Sequence, residues 1–387
     1  MTKKDYFCRA LAATDTLFET VLNVSMTSYD DTVLSKTITF LRFPLIVAVV
    51  FIHTCLENVV IGGNLLVAEG QFPVYNILHH IVTDELARTA VPLFFFLSGF
   101  LFFYRSDFSF KTYRQKLKKR VRTLLVPYLF WNMLVFLTLL VSQPLLSAVT
   151  SGKNLPISDY GWLDWLNVFW NHKDGMPVCF QFWFIRDLMV VILFSPLLYY
   201  IVKYGNTLGI ILLGGLWTFN LGFDHAGFSI SAFFFFTFGA WFSIRKHDFT
   251  ADFRPFRWPS TLLYLALALL DLWLIINKST DYPYIHNLGI LAGIVAVVSW
   301  ISYGIERNIL HSNKILTQSS FFVYAYHGLP ALLAVKCWVK FLSPMNEWTM
   351  VAGFFVLPFL LVGIGIGIYT VLRKYLPTFT AVITGGR

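Results

Sequence analysis

Apolar runs of about twenty residues recur along the whole chain, and a run of that length is what an α-helix needs to cross a hydrocarbon layer. Lipid offers no hydrogen-bond partner, so a spanning segment must satisfy its own backbone. The runs are continuous where the strands of a membrane barrel would alternate. The expected fold is therefore an all-α polytopic membrane protein, a bundle of about ten transmembrane helices. Spans are predicted near 38–57, 87–104, 124–146, 182–202, 208–222, 228–244, 260–277, 285–303, 319–340 and 349–372. Composition agrees: 57% hydrophobic and 13% charged residues, with a mean hydropathy of +0.64, lie outside the range of an ordinary soluble domain.

Loop charge sets the orientation. The segment from Arg105 to Thr123 carries Arg105, Lys111, Arg114, Lys116, Lys118, Lys119, Arg120 and Arg122, whereas residues 58–86 contain no Lys or Arg. Cytoplasmic loops are the basic ones, so both termini are expected in the cytoplasm. Residues 1–36 read as an N-terminal cytoplasmic tail, with a true start near Met26 or a short interfacial helix as alternatives for the first 25 residues. Residues 37–375 form the membrane domain and 376–387 a cytoplasmic tail. The net charge of +9 is used up by this topology, which removes the case for nucleic acid as a partner. Cys8, Cys55, Cys179 and Cys337 show neither metal-ligand spacing nor a disulfide framework. No glycine-rich nucleotide loop, zinc signature or calcium loop is present, so neither a metal nor a tightly bound cofactor is expected.

Charged and polar residues inside the spans carry the functional signal. Arg42 and His53 lie eleven residues apart in the first span, about three helical turns, which puts both on nearly the same face, roughly 16 Å apart. An arginine at helix centre costs about 2.5–3.5 kcal/mol on insertion scales. Arg42 is either a snorkelling anchor or the lining of a cavity. His53 suits proton transfer near neutrality and is a candidate general base. The bland alternative is a satisfied polar residue bonded to Glu57, which one further helical turn would bring onto its face and which could equally orient it.

In the second span, Arg88 precedes Pro92, and Ser98-Gly99 permits close backbone approach. The fourth span begins Phe182-Trp-Phe-Ile-Arg-Asp187, where Arg186 and Asp187 are an outer-interface pair or part of an acceptor pocket, and Trp183 sits near the interface or lines the acceptor cavity. Tyr324 and His327, one turn apart in the ninth, form a core hydrogen bond or a pore wall. The basic cluster with Arg114, Lys119, Arg120 and Arg122 fits membrane lipid headgroups or a phosphate-rich soluble donor such as a coenzyme A thioester.

Taken in order, these segments resemble acyltransferase family 3, the bacterial membrane O-acyltransferases of surface and envelope glycans. The resemblance runs from about Leu34 to Lys374 and rests on Arg42 and His53 in the first helix. Val91-Pro-Leu-Phe-Phe-Phe-Leu-Ser-Gly-Phe100, Leu125-Val-Pro-Tyr128, Phe182-Trp-Phe-Ile-Arg-Asp-Leu188, Phe235-Phe-Thr-Phe-Gly-Ala240 and Tyr324-Ala-Tyr-His327 add to it. One departure stands out: members often carry Arg-x-x-Arg ending three residues before the proline of the third span, and here Leu124 holds that place.

The resemblance implies transfer of a short acyl group, most simply acetyl, from cytoplasmic acyl-coenzyme A to a hydroxyl of a glycan or lipid-linked glycan. His53 would be the catalytic histidine, Arg42 its essential partner, and the location the bacterial cytoplasmic (inner) membrane. Arg186 is the more reachable candidate for the oxyanion, and envelope polysaccharide assembly proteins are the expected protein partners. A transporter or flippase of a glycan-linked lipid, without acyl transfer, is the rival from another class, and an assembly scaffold the third.

Overall fold

The computed structural model describes residues 33–145, 157–173, 175–277 and 282–386. The N-terminal stretch with Cys8 and Met26 lies outside the described residues, as do Lys153, Lys278 and Arg387.

The first helix, α1 (Val33–Ile52), leads into a short hairpin of β1 (Val59–Ile61) and β2 (Asn64–Val67). The second span is composite: α2 (Pro73–His79) runs through a π-helical stretch, His80–Leu86, and a 3₁₀ turn, Ala87–Thr89, into α3 (Ala90–Phe103). Next, α4 (Phe110–Arg120) passes through a second π-helical stretch, Val121–Leu125, into α5 (Val126–Leu145). The expected basic loop is thus helical for most of its length. Ser109 starts it by accepting the Thr112 N–H at 3.1 Å, the usual role of a serine at a helix start.

Beyond α6 (Trp162–Trp170) come α7 (Trp183–Leu193) and α8 (Ser195–Thr218), then the hairpin β3 (Asp224–His225) and β4 (Phe228–Ser229), and α9 (Ile230–Ile244). The remaining helices are α10 (Phe249–Phe253), α11 (Arg257–Ile276), α12 (Pro283–Glu306), α13 (Lys314–Tyr326), α14 (Gly328–Phe341), α15 (Glu347–Tyr375) and α16 (Pro377–Ile383).

Among the described residues, seven helical stretches are long and apolar enough to cross a bilayer, eight when α13 and α14 count as one span bent by 70°. The polytopic all-α class holds, but the ten separate spans do not. Pro196 can open a helix and cannot continue one from before it, so the predicted 182–202 span divides at Phe194. The predicted 208–222 span is the second half of α8, past a kink at Asn206 (φ 47°, ψ −134°). At 15 residues, α9 is short for a crossing. The first span also ends early, at Ile52 and not at residue 57.

Helices α3 and α9 are apolar on every side, the signature of a helix enclosed by others. They form the most closely apposed pair in the bundle. Their backbones meet at two glycines: a Cβ on Gly99 would overlap the Phe236 carbonyl, and one on Gly239 the Phe96 carbonyl. Small residues at such a crossing replace the hydrophobic drive that lipid cannot supply. The aromatic rings of Phe96, Phe100, Phe242 and Phe249 close around the contact edge to face.

Gly239→Ala should therefore lower the melting temperature of the detergent-solubilised protein, because overpacking costs about 1–3 kcal/mol even where side chains can yield, and here the obstacle is backbone. Gly363→Ala, in α15 with nothing within 4 Å of the added methyl, should leave it unchanged or slightly higher. Tryptophan-fluorescence melts of the two variants compare them directly.

Candidate functional site

His53 stands just past the end of α1, and the local chain explains why it projects. The Thr54 hydroxyl donates to the Val50 carbonyl at 2.8 Å and its N–H to Phe51 at 3.1 Å, which closes the last turn. The Leu56 N–H then donates to the Tyr75 hydroxyl at 2.9 Å, drawing the chain away over α2. Left at the rim, the His53 ring is half-buried. It meets Phe180 edge-on at 4.9 Å between centroids and stacks on His327 at 5.4 Å with 29° between planes. Among the described residues no hydrogen-bond partner reaches the ring.

Glu57 is not that partner. An i,i+4 pairing needs a helix through residue 57, and the helix has already ended; the Glu57 carboxylate accepts the Gly70 N–H at 3.0 Å, beyond the β1–β2 hairpin.

His327 is fully buried at the bend between α13 and α14. Its Nδ1 lies 2.7 Å from the Tyr324 carbonyl and 3.2 Å from that of Val323. Carbonyl oxygens only accept, so Nδ1 carries the proton and, in the neutral ring, Nε2 is left with its lone pair. That Nε2 is buried and has no hydrogen-bond partner among the described residues.

The turn bearing Phe180 is held from two sides. The Tyr324 hydroxyl donates to the Gln181 carbonyl at 2.6 Å, and the Gln181 amide donates to the Ala325 carbonyl at 2.9 Å. Gly328 leaves the room, since a Cβ there would overlap the Gln181 amide. From the third span, buried Asn132 accepts the Cys179 N–H at 3.0 Å and donates to the Tyr128 carbonyl at 2.8 Å. Sequence reasoning singles out Tyr324 and His327 but misses Phe180, Gln181 and Asn132. A lone Gln or Asn in an apolar run is the signal available for the last two.

Arg42 is exposed, although α1 around it is covered. At about 100° per residue, Ser35, Ile46 and Val49 share its sector of the helix. All three are buried. The Arg42 side chain therefore opens at a local gap in a packed face, the same face that carries His53.

The other predicted residues separate into groups. Arg186 is heavily engaged: it donates to Asp187 at 2.9 Å through Nε and 2.8 Å through a terminal nitrogen, and to the Trp170 and Gly175 carbonyls at 2.6 and 2.5 Å. Buried and stacked on Trp170, it fastens Trp170 and Gly175 to α7. Four of its five N–H donors are committed there, which leaves one terminal N–H for the expected oxyanion role. Arg88 is exposed and pairs with Asp84 at 3.5 Å. Ser98 is half-buried beside the Gly99 crossing, and the half-buried Trp183 ring lies 6.5 Å from Phe95. Of the basic cluster, Arg114, Lys119 and Arg122 are exposed and Arg120 half-buried. The structure thus joins His53, Tyr324 and His327 and sets Arg42 on the same helical face; it does not bring Glu57 or Arg186 to the His53 ring.

Comparison with known proteins points the same way. A family model described as an acyltransferase domain matches residues 36–370. A curated relative, the succinoglycan biosynthesis protein ExoH of Rhizobium meliloti (strain 1021), is 25% identical over 365 residues, covering 92% of this chain and 94% of the relative. No solved structure matches the chain. With the family match running through nearly all of the helical bundle, the chain belongs to the acyltransferase 3 family and is a membrane acyltransferase.

Proposed function

We propose that the protein moves a short acyl group, most simply acetyl, from acyl-coenzyme A to a hydroxyl of a glycan or lipid-linked glycan, with His53 as general base. The observation that carries this reading is the His53 ring, half-exposed at a helix end, without a hydrogen-bond partner among the described residues, and on the helical face that opens at Arg42. The relative's part in succinoglycan biosynthesis supports a polysaccharide acceptor. The basic segments on alternate connections support a bacterial cytoplasmic membrane location with both termini and the donor on the cytoplasmic side.

In this reading His53 removes the hydroxyl proton as the oxygen attacks the thioester carbonyl. The tetrahedral intermediate then collapses with cleavage of the C–S bond, and the imidazolium returns the proton to the leaving thiolate. Arg42 receives the anionic part of the donor as its pantetheine arm rises toward His53, and Arg114 and Lys119 of α4, with Arg122 of the π-helical stretch that follows, attract its phosphates. His327, with its tautomer set by the Tyr324 carbonyl, supplies a fixed aromatic wall against which the His53 ring stacks.

The test is release of free coenzyme A from acetyl-coenzyme A by purified protein in nanodiscs, dependent on an added glycan. His53→Ala should cut the rate by about 10²–10⁴-fold with an unchanged melting temperature. Wild-type turnover in a well-folded His53→Ala protein would exclude it as the base.

Arg42 generates a second expectation. Arg42→Ala should raise the KM for acetyl-coenzyme A while leaving that for a phosphate-free acetyl thioester, S-acetyl-N-acetylcysteamine, little changed. Equal losses with both donors would place Arg42 in the chemical step.

A further inference from the structure

Three helices bring Glu85, Asp271 and His286 together at a place the acyl-transfer reading does not use. Glu85 lies in the π-helical His80–Leu86 stretch, Asp271 in α11 and His286 in the first turn of α12. One ligand atom from each lies within 4.8 Å of the others. Glu85 and Asp271 are each 8% exposed. Asp271 Oδ2 is 2.9 Å from His286 Nδ1, while Glu85 Oε1 is buried and no hydrogen-bond donor reaches it among the described residues.

The surrounding charges make this cluster unusual. Asp84, the neighbour of Glu85, is matched twice, by His80 at 2.7 Å and Arg88 at 3.5 Å. A π-helical turn re-aims successive side chains, a recurrent feature of functional sites, and here it sends Asp84 to its own helix and Glu85 toward α11. No Lys or Arg forms an ion pair with Glu85 or Asp271 among the described residues. Asp271 and His286 can pair with each other, so Glu85, buried without a cationic partner among the described residues, is left to be neutralised by a proton or by a bound cation.

We infer that Glu85, Asp271 and His286 bind a divalent transition-metal cation that ties the second span to α11 and α12. Two carboxylates neutralise a dication and a neutral imidazole completes a donor set of the kind zinc and its neighbours accept. The 2.9 Å between Asp271 Oδ2 and His286 Nδ1 is near the edge of such a coordination sphere, where metal–ligand bonds are about 2.0–2.1 Å. A rotation of the flexible Glu85 side chain closes the third position. Asp271 and His286 are 15 residues apart on successive helices, and Glu85 lies far from both in sequence, so the pattern is invisible to a search for short metal motifs.

Untagged protein purified in detergent and dialysed against chelator, then titrated with Zn²⁺, tests this. The wild type should take up about one ion per chain, as a single built site requires, and its melting temperature should rise by several degrees. Glu85→Gln and His286→Ala should each abolish the uptake and the shift, whereas His247→Ala, at an exposed His247–Asp252 pair, should preserve both. If the wild type takes up no ion and its melt is indifferent to Zn²⁺, the inference fails and the two carboxylates share a proton instead. Uptake undiminished in both variants overturns it equally, since the ion then sits elsewhere. The wild-type titration decides even where a variant does not fold, and neither arm depends on acyl-transfer activity.

Discussion

Inside an apolar bundle a polar group has no water to fall back on, so it persists only where the protein brings it a partner. Arg186 answers this by spending four of its donors on Asp187 and two backbone carbonyls. Tyr324 and Gln181 answer it by exchanging hydrogen bonds between α13 and the Phe180 turn. Asn132 does so by bridging Tyr128 to Cys179. Each of these contacts fixes a piece of otherwise irregular backbone next to the site. Among the described residues several buried side-chain atoms remain unanswered, Nε2 of His327 and Oε1 of Glu85 among them, and no hydrogen-bond partner reaches the His53 ring.

The two histidines divide the constraint unequally. His327 is locked, with its backbone in a bend that stays hydrogen-bonded through Ala331 N–H to its own carbonyl at 2.8 Å. Its ring orientation follows from the Tyr324 carbonyl, so tautomer and direction are set before any ligand arrives. His53 has neither restraint; only ring contacts with Phe180 and His327 position it. A free base beside a fixed wall suits a group that must turn between a hydroxyl and a thiolate, because reorientation breaks no hydrogen bond.

What was legible in the sequence follows the range of the interaction. The apolar runs, the helical class and the Tyr324-to-His327 turn depend on neighbours a few residues apart. Gln181 finds Tyr324 and Ala325 across 143 and 144 residues, and nothing local marks it. A long separation likewise hides Glu85 from Asp271 and His286. Two residues show another limit. Helical periodicity offers Glu57 to His53 as one alternative, but the Thr54 hydroxyl closes the turn first. The charge of Arg186 is visible in sequence, while the Trp170 and Gly175 carbonyls that it meets are not.

The basic segment shows how a wrong element can still carry the right chemistry. Loop charge needed only the sign of residues 105–123, but the helical state of Phe110–Arg120 changes what those charges can do. Lys116 lays its stem over the Phe102 ring, 5.0 Å from nitrogen to centroid, and donates to the Phe102 carbonyl, which pins α4 to the end of α3. With its backbone already ordered and continuous with α5 through the π-helical Val121–Leu125 stretch, α4 presents Arg114, Lys118 and Lys119 from a fixed frame. A loop would have to lose conformational freedom on meeting a polyphosphate; this segment has lost it on folding, so the attraction of its charges is retained in binding.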